Sequence, residues 1–154
     1  MTVRELQTSN VKTVSSDTDL AVVARLMWEG DCGAVPVVTD DRKVIGMITD
    51  RDICIAAATR SKPPAEIRVG EVIGTNHGVH AVKPDDDVRV ALRTMRKHKV
   101  RRLPVVDREQ RLAGIVSIND LAINASSSLP NSVPAQEFLE TFQAICAHEK
   151  HATA

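Results

Sequence analysis

Residues 34–53 read AVPVVTDDRKVIGMITDRDI, and residues 102–121 read RLPVVDREQRLAGIVSINDL, the same pattern 68 positions later. The correspondence runs without a gap from residues 11–53 to residues 79–121. A repeat of this length is one supersecondary unit, which cannot enclose an apolar core by itself. We therefore expect the two copies to pack on each other about a pseudo-twofold axis. The paired clefts along such an axis are where we would look for function.

Each copy predicts the element order β-α-β-β-α. Apolar residues recur at i, i+3, i+4 and i+7 from Leu20 and again from Val88, which is the spacing of an amphipathic helix. The other predicted elements are initial strands at residues 11–14 and 79–82, helix starts at Ser16-Asp17 and Pro84-Asp85, hairpins over residues 34–48 and 103–116, and second helices from Thr49 and Ser117. The predicted fold class is α/β (α+β): two such repeats, related by a pseudo-twofold axis and packed through their sheets, plus a C-terminal helix.

A proline lies inside the first hairpin strand of each copy, at Pro36 and Pro104. Proline cannot donate to a sheet ladder, so this strand should lie at an edge or carry a bulge. Its apolar run predicts that both faces are covered. Gly30 is suited to end the first helix.

The chain order predicts five segments. They are a first repeat with its lead-in (residues 1–60), a linker (61–68), a second repeat (69–124), a linker (125–135) and an amphipathic helix (136–150). In that last helix Phe138, Phe142 and Ile145 form one apolar face. It either packs back on the repeats or contributes to a dimer interface or a partner-docking surface.

Composition excludes several classes of function. The 20 basic and 20 acidic residues cancel, and the chain has one Trp, two Phe and no Tyr, so nucleic-acid binding is not expected. Its three cysteines include no CxxC motif, which favours a reducing, cytoplasmic compartment. Cys54 is expected to be a small core residue rather than a nucleophile. No apolar run reaches the roughly 20 residues that span a bilayer, and no membrane association is predicted.

The two repeats closely resemble a tandem of CBS domains, the motif named for cystathionine β-synthase. The resemblance rests on the strands AVPVV (residues 34–38) and LPVVD (103–107), and on the ends GMITDRDI (46–53) and GIVSINDL (114–121). It covers residues 1–123 or so. The family implies a Bateman module whose clefts bind AMP, ADP, ATP or S-adenosylmethionine, and which often dimerises. It also implies a regulatory role towards an attached or separate protein.

The resemblance assigns the binding residues. Asp120 and Asp52 would hold ribose hydroxyls, and Ser117 and Thr49 would lie near ribose or phosphate. One cleft would use Ser117 and Asp120, with Arg101 and Arg102 on the phosphates and backbone of residues 9–13, including Lys12 and Thr13, framing the base. The other would use Thr49, Asp52 and residues 75–80, including His80. The arginines predict that a phosphorylated ligand prefers the first of these clefts, because guanidinium groups suit phosphate.

A structural interpretation of the same residues stays open. Ser/Thr-x-x-Asp is close to a helix capping box, with aspartate in place of glutamate or glutamine. Capping by the hydroxyl and ribose binding by the aspartate can coexist. The sequence alone does not choose between them.

Two functions are therefore carried forward. The first is a non-catalytic regulatory module that binds an adenosine-containing ligand, requires no cofactor, forms a homodimer and acts in trans on a partner protein. The second is a structural dimerisation or scaffold protein with vestigial clefts. No HExxH motif, GxSxG elbow or P-loop occurs in the chain, so neither a catalytic nor a metal site is predicted.

Overall fold

The computed structural model describes residues 1–74 and 78–147. It confirms a mixed α/β fold with one two-stranded hairpin sheet in each repeat and a helix after the second. The chain divides into two compact units that interleave along the sequence. The first unit comprises Asn10–Val79 and Arg108–Leu112, and the second comprises Met1–Ser9, His80–Asp107 and Ala113–Ala154. The linear segment boundaries and the packing of the repeats about an axis stay predictions.

The first unit contains the first repeat. Its elements are α1 (Leu20–Glu29), β1 (Ala34–Val38), β2 (Val44–Thr49), α2 (Asp50–Thr59), a 3-10 turn (Pro64–Glu66) and α3 (Val69–Ile73). The core of this unit includes Leu20, Val23 and Ile48. Residues 108–112 belong here because their turn pairs with the first hairpin: Val44 N donates to Gln110 O at 3.1 Å.

The second unit contains the second repeat and the tail. Its elements are a 3-10 turn (Val3–Glu5), α4 (Val88–His98), β3 (Arg102–Val106), β4 (Leu112–Ser117), α5 (Ile118–Ile123), the short parallel strands β5 (Ala125–Ser126) and β6 (Val133–Pro134), and α6 (Ala135–Cys146). The core of this unit includes Leu92, Leu103 and Leu121. None of the helices in the described part of the chain has the length and apolarity needed to cross a membrane.

The hairpin prediction is confirmed, and so is the irregularity expected at its proline. β1 runs antiparallel to β2, and the register shifts between Val37 and Val38. All five residues of β1 are buried. The predicted initial strands are reduced to single bridges on the free edge: Val14 N donates to Pro36 O at 3.1 Å, and Val82 N donates to Pro104 O at 3.1 Å. Each proline therefore supplies a carbonyl to the edge where its own N–H is missing.

The predicted helix starts were three residues too early. Asp19 and Asp87 are the N-caps, and the carboxylate of Asp19 accepts from Val22 N at 3.0 Å. The residues before Asp19 cannot be helical because their carbonyls are used elsewhere. Thr18 O accepts from Val69 N and Ser16 O from Gly70 N, both at 2.9 Å.

Each lead-in packs on the other repeat. Residues 1–9, placed in sequence with the first repeat, lie in the second unit, where Thr8 pairs with Ile115 of β4. α3, the lead-in at the start of the predicted second repeat (residues 69–124), lies in the first unit. A glycine permits each contact: a Cβ on Gly114 would lie 2.7 Å from Thr8 O, and one on Gly46 would lie 2.9 Å from Ile73 Cδ1.

The repeat is preserved in the backbone even where residue types differ. Asp31 and Lys99 are equivalent positions, and both are left-handed, with φ of 46° and 53°. Arg42 and Gln110 are also equivalent, and both have φ of 65°. Gly30 is the C-cap of α1, as predicted, although its own φ is −92° and Asp31 makes the left-handed turn.

The tail helix packs back on its own unit, which is one of the two predicted alternatives. α6 lies along α4, where Arg89 Nε donates to Glu137 Oε1 at 2.8 Å and Arg96 Nη1 to Glu140 Oε2 at 3.0 Å. Ile145 is buried and Phe138 packs on the core, whereas Phe142 is 43% exposed. α6 begins directly after Pro134 and ends at Cys146. Its predicted extension to residue 150 reaches beyond the described residues.

Candidate functional site

Both predicted Ser/Thr-x-x-Asp motifs form helix capping boxes. In the first repeat Thr49 N and Thr49 Oγ1 donate to Asp52 Oδ2 at 2.8 and 2.6 Å. In the second, Ser117 N and Ser117 Oγ donate to Asp120 Oδ2 at 2.7 and 2.6 Å. The two N-cap residues share φ −116° and ψ 162°. The capping interpretation is thus confirmed in both copies.

Capping uses only half of each carboxylate. Both bonds from the N-cap residue end on Oδ2, and Oδ1 of Asp52 and of Asp120 accepts no hydrogen bond from the described residues. Both aspartates are half-buried. Each site therefore presents an acceptor oxygen at a helix N-terminus, which suits a hydroxyl donor.

The second repeat brings Arg101 to this capping box. Ile118 N, in the first turn of α5, donates to Arg101 O at 2.8 Å, so Arg101 is fixed beside Ser117. Arg102 is the first residue of β3 and is half-buried. Neither guanidinium has an ion pair within residues 1–74 and 78–147. Two cations without a described counter-ion thus lie next to the site, Arg101 directly before β3 and Arg102 as its first residue.

The first repeat has the same backbone bond but the opposite charge. Asp50 N donates to Gly33 O at 3.2 Å, which is the equivalent of the Ile118–Arg101 bond 68 residues earlier. A Cβ on Gly33 would lie 2.8 Å from Asp50 Oδ2. A carboxylate therefore lies beside the position that an arginine occupies in the second repeat. Sequence reasoning missed Asp50, although its place directly after Thr49 could have signalled it.

The remaining predicted binding residues are distributed over both units. Lys12, which is exposed, and Thr13, which is half-buried, belong to the first unit, as Thr49 and Asp52 do. His80 belongs to the second unit. Of the predicted segment at residues 75–80, positions 75–77 lie outside the described residues.

His80 makes a contact that the sequence did not predict. Its ring stacks on His98 of α4, with centroids 3.4 Å apart and an interplanar angle of 17°. The His80 side chain is exposed overall, but its partial desolvation lowers its pKa, and the nearby charges of His98 and Lys97 lower it further. The contact favours the neutral form of the His80 imidazole, because two protonated rings in contact would repel each other.

A cleft lies in the first unit, between α1 and α2. It has a volume of about 520 Å³ and is lined by residues that include Ala24, Trp28, Asp31, Asp50 and Ile53. Cys54 also lines it and is exposed. The prediction that Cys54 is a core residue was wrong, because the apolar run of α2 buries only Ala56.

No group of three or more His, Cys, Asp or Glu residues in the described ranges is arranged to hold a metal ion. His148 and His151 lie outside those ranges. Fewer than three such ligands rarely give a stable site in proteins. The described part of the chain thus offers no candidate metal centre.

Comparison with known proteins places this geometry in a family. The sequence profile of the CBS domain matches residues 3–58 and 69–126. Hypoxic response protein 1 of Mycobacterium tuberculosis is 32% identical over 146 residues, which cover 95% of this chain and 94% of that protein. A crystal structure of Hypoxic Response Protein I with two coordinated zinc ions is 33% identical, with a TM-score of 0.73, and covers 82% of this chain and 100% of that chain.

A further solved structure bears on ligands. The CBS domain pair of protein MJ0100, in complex with 5'-methylthioadenosine and S-adenosyl-L-methionine, is 25% identical, with a TM-score of 0.71. The match covers 80% of this chain and 94% of that chain. The repeat found in the sequence, the two capping boxes and these matches agree. The chain therefore belongs to the CBS domain family, with one CBS domain for each of its two repeats.

Proposed function

We propose that this chain is a non-catalytic regulatory module that binds an adenosine-containing ligand, AMP, ADP, ATP or S-adenosylmethionine, and signals to a partner protein. The observation that carries the proposal is the Oδ1 atom of Asp120. It is an acceptor without a described partner at the start of α5, next to Arg101. A ribose supplies two neighbouring hydroxyl donors, which suit a carboxylate oxygen.

The charge around Asp120 favours a phosphorylated ligand. Arg101 is held beside the N-terminus of α5 by its own carbonyl, and Arg102 follows it. Guanidinium groups bind phosphate oxygens in a bidentate manner. A nucleotide whose ribose lies on Asp120 would direct its phosphates towards these two cations.

The first repeat supports a different preference. Gly33 occupies the position of Arg101 and Asp50 that of Ile118, so next to Thr49 and Asp52 one cation is lost and one carboxylate is added. A phosphate at this place would meet a like charge. We propose that the first repeat leaves its site empty or takes an uncharged nucleoside portion.

The ligand class also draws on similarity. The MJ0100 domain pair binds two adenosine compounds, and the aspartates here retain a free oxygen. Lys12, Thr13 and His80 remain predicted contributors. A homodimer and a partner regulated in trans complete the proposal, and sedimentation at increasing concentration tests the dimer.

The proposal is tested by titrating AMP into the native chain and two variants in a calorimeter. Asp120→Ala should weaken AMP binding at least tenfold more than Asp52→Ala, because a hydrogen bond to a charged group contributes about 1.5–3 kcal/mol. Each variant loses the same capping bonds, so Asp52→Ala is a matched control for altered helix stability. Equal or reversed losses would reject the asymmetry.

The second function, a structural scaffold, is favoured by one observation: both aspartates already serve as caps. A screen of thermal unfolding with AMP, ATP and S-adenosylmethionine separates the two functions, because a ligand that binds the folded chain must raise its apparent stability. A rise with any of them supports the regulatory module. If none raises the unfolding temperature at millimolar concentration, the scaffold is the better account.

A further inference from the structure

α6 is held on α4 by contacts that are largely exposed to water. Glu137 and Glu140 make its two ion pairs to α4, and both side chains are at least 40% exposed. Exposed ion pairs contribute little to stability. Thr141 and Ile145 are the buried residues of α6, and its N-cap makes no side-chain hydrogen bond. A helix with few buried contacts can open locally while the rest of the chain stays folded.

The N-terminal end of α6 is connected to the residue that we propose binds ribose. Asn124, the C-cap of α5, donates its Nδ2 to Asp120 O at 2.8 Å. The carbonyl of Asn124 accepts from Val133 N at 3.0 Å, and β6 leads directly from Val133 into α6. Two hydrogen bonds thus connect the backbone of Asp120 to the strand from which α6 starts.

The C-terminal end of α6 is connected to the proposed phosphate-binding residues. Lys99 Nζ donates at 3.4 Å to the carbonyl of Ala147, directly after the last residue of α6. A cation at a helix C-terminus is favourable. Lys99 lies two positions before Arg101, whose carbonyl accepts from Ile118 N of α5. The turn between α4 and β3 therefore carries both a contact to α6 and the first of the two arginines.

Both connections depend on side chains that depart from the repeat. The counterpart of Lys99 in the first repeat is Asp31, and the counterpart of Asn124 is Ala56. A carboxylate is unfavourable at the carbonyl end of a helix, and an alanine side chain has no donor. At these two positions the first repeat can form neither connection.

We propose that a ligand at Asp120 and Arg101 controls whether α6 packs on α4. The inference rests on the proposed function, and it names the element that changes when the ligand binds. A ribose on Asp120 and a phosphate on Arg101 would immobilise the two segments to which the ends of α6 are bonded. Packing of α6 then costs less conformational entropy, so the ligand and the packed helix stabilise each other. The two states are α6 packed on α4 and α6 released from it.

Hydrogen exchange followed by mass spectrometry tests this inference on the full chain, with AMP as the probe. Saturating AMP should slow the exchange of the amides of residues 135–146 at least about fivefold, which is the lower end of allosteric coupling. The slowing should exceed any change in residues 20–29, the α1 helix of the repeat that lacks both connections. A general stabilisation of the chain by AMP would instead slow both helices.

A matched pair of variants locates the connection at the C-terminal end. Lys99→Met keeps the aliphatic stem but removes the donor to Ala147, so most of the slowing of α6 by AMP should be lost. Lys97→Met removes the same charge from an exposed position of α4, and Lys97 donates no hydrogen bond to α6 within residues 1–74 and 78–147. The full slowing should remain in Lys97→Met. At the other end, Asn124→Ala reproduces the first repeat and should also reduce the slowing.

Calorimetry under the same conditions establishes whether AMP saturates each variant, which separates this inference from the proposed function. If AMP binds but exchange in α6 is unchanged or faster, this inference is overturned while the proposed function stands. Equal slowing in Lys99→Met and Lys97→Met overturns it as well. If AMP does not bind the native chain, the proposed function and this inference are overturned together.

Discussion

The two repeats share their backbone and differ in what surrounds it. Thr49 and Ser117 adopt identical cap angles, and each cap bonds its aspartate in the same way. Yet Arg101 stands where the first repeat has Gly33, and α6 covers α4 while α1 remains uncovered. The repeated residues thus determine the backbone scaffold, and the positions that depart from the repetition determine the charge and exposure of each repeat.

The largest expected difference concerns the helix that α6 covers. Leu92→Ala should lower the free energy of unfolding by about 3 kcal/mol, because it leaves a cavity between α4 and α6. The reciprocal change at the equivalent position, Ala24→Leu, should alter stability by no more than about 0.5 kcal/mol, because Ala24 is exposed. Urea denaturation measures both. Similar losses at the two positions would mean that α1 is covered as α4 is.

An added methyl group at each of the two glycines that contact the lead-ins should change the free energy of unfolding unequally. Gly114→Ala places a Cβ against the backbone carbonyl of Thr8 and should cost about 2 kcal/mol of folding free energy. Gly46→Ala meets the flexible end of Ile73 and should cost less than about 1 kcal/mol. Thermal unfolding of both variants checks this order. The account of the exchanged lead-ins is contradicted if Gly114→Ala is the milder change.

Removal of the N-cap hydroxyl should lower the free energy of unfolding equally in the two capping boxes. Thr49→Ala and Ser117→Ala each remove the same cap bonds and should each cost about 1 kcal/mol of folding free energy. Chemical denaturation of both variants provides the measurement. A difference well above 0.5 kcal/mol, on the scale expected of ordinary surface changes, would show that the two boxes are not energetically equivalent.

The smallest effect is the dependence of folding stability on pH near neutrality, to which His80 of the second repeat contributes. His80 corresponds to Lys12, and its pKa in the folded chain is lowered below 6.5 by burial and by neighbouring positive charge. The unfolded chain therefore binds this proton more readily, so stability falls as the pH decreases through 6.5 towards the lowered pKa. His80→Asn should flatten the slope, whereas Lys12→Asn should leave it unchanged. Denaturation series between about pH 5 and 8 measure this, and an unchanged slope in His80→Asn would refute the assignment.

The scaffold was predictable because it depends on local patterns that occur twice. The hairpins, the second helices and the caps follow from apolar periodicity and from the polar residues at helix starts. The helix starts at Asp19 and Asp87 were missed because hydrogen bonds to distant lead-ins override local propensity. The packing of each lead-in on the other repeat was not predicted for the same reason, because only tertiary hydrogen bonding determines which repeat Thr8 pairs with.

The candidate site was predictable in part. The capping boxes of Thr49 with Asp52 and of Ser117 with Asp120 follow from a motif that recurs in register. Arg101 stood out because it breaks the repeat, and ligand binding by these residues stays a prediction. The stack of His80 on His98 was not predictable, because two histidines 18 positions apart form no recognisable sequence pattern. The cleft beside Trp28 was also missed, because Ala24 and Cys54 were expected in the core and are exposed.

A crystal structure of the chain with AMP would show whether Asp120 holds the ribose of a nucleotide. We expect the ribose hydroxyls to donate to Asp120 Oδ1 while Oδ2 still caps α5, and the phosphate to contact Arg101 or Arg102. AMP bound at Asp52 alone, or a capping box at Asp120 with no nucleotide beside it at saturating AMP, would show that Asp120 is a helix cap and not a ribose-binding residue.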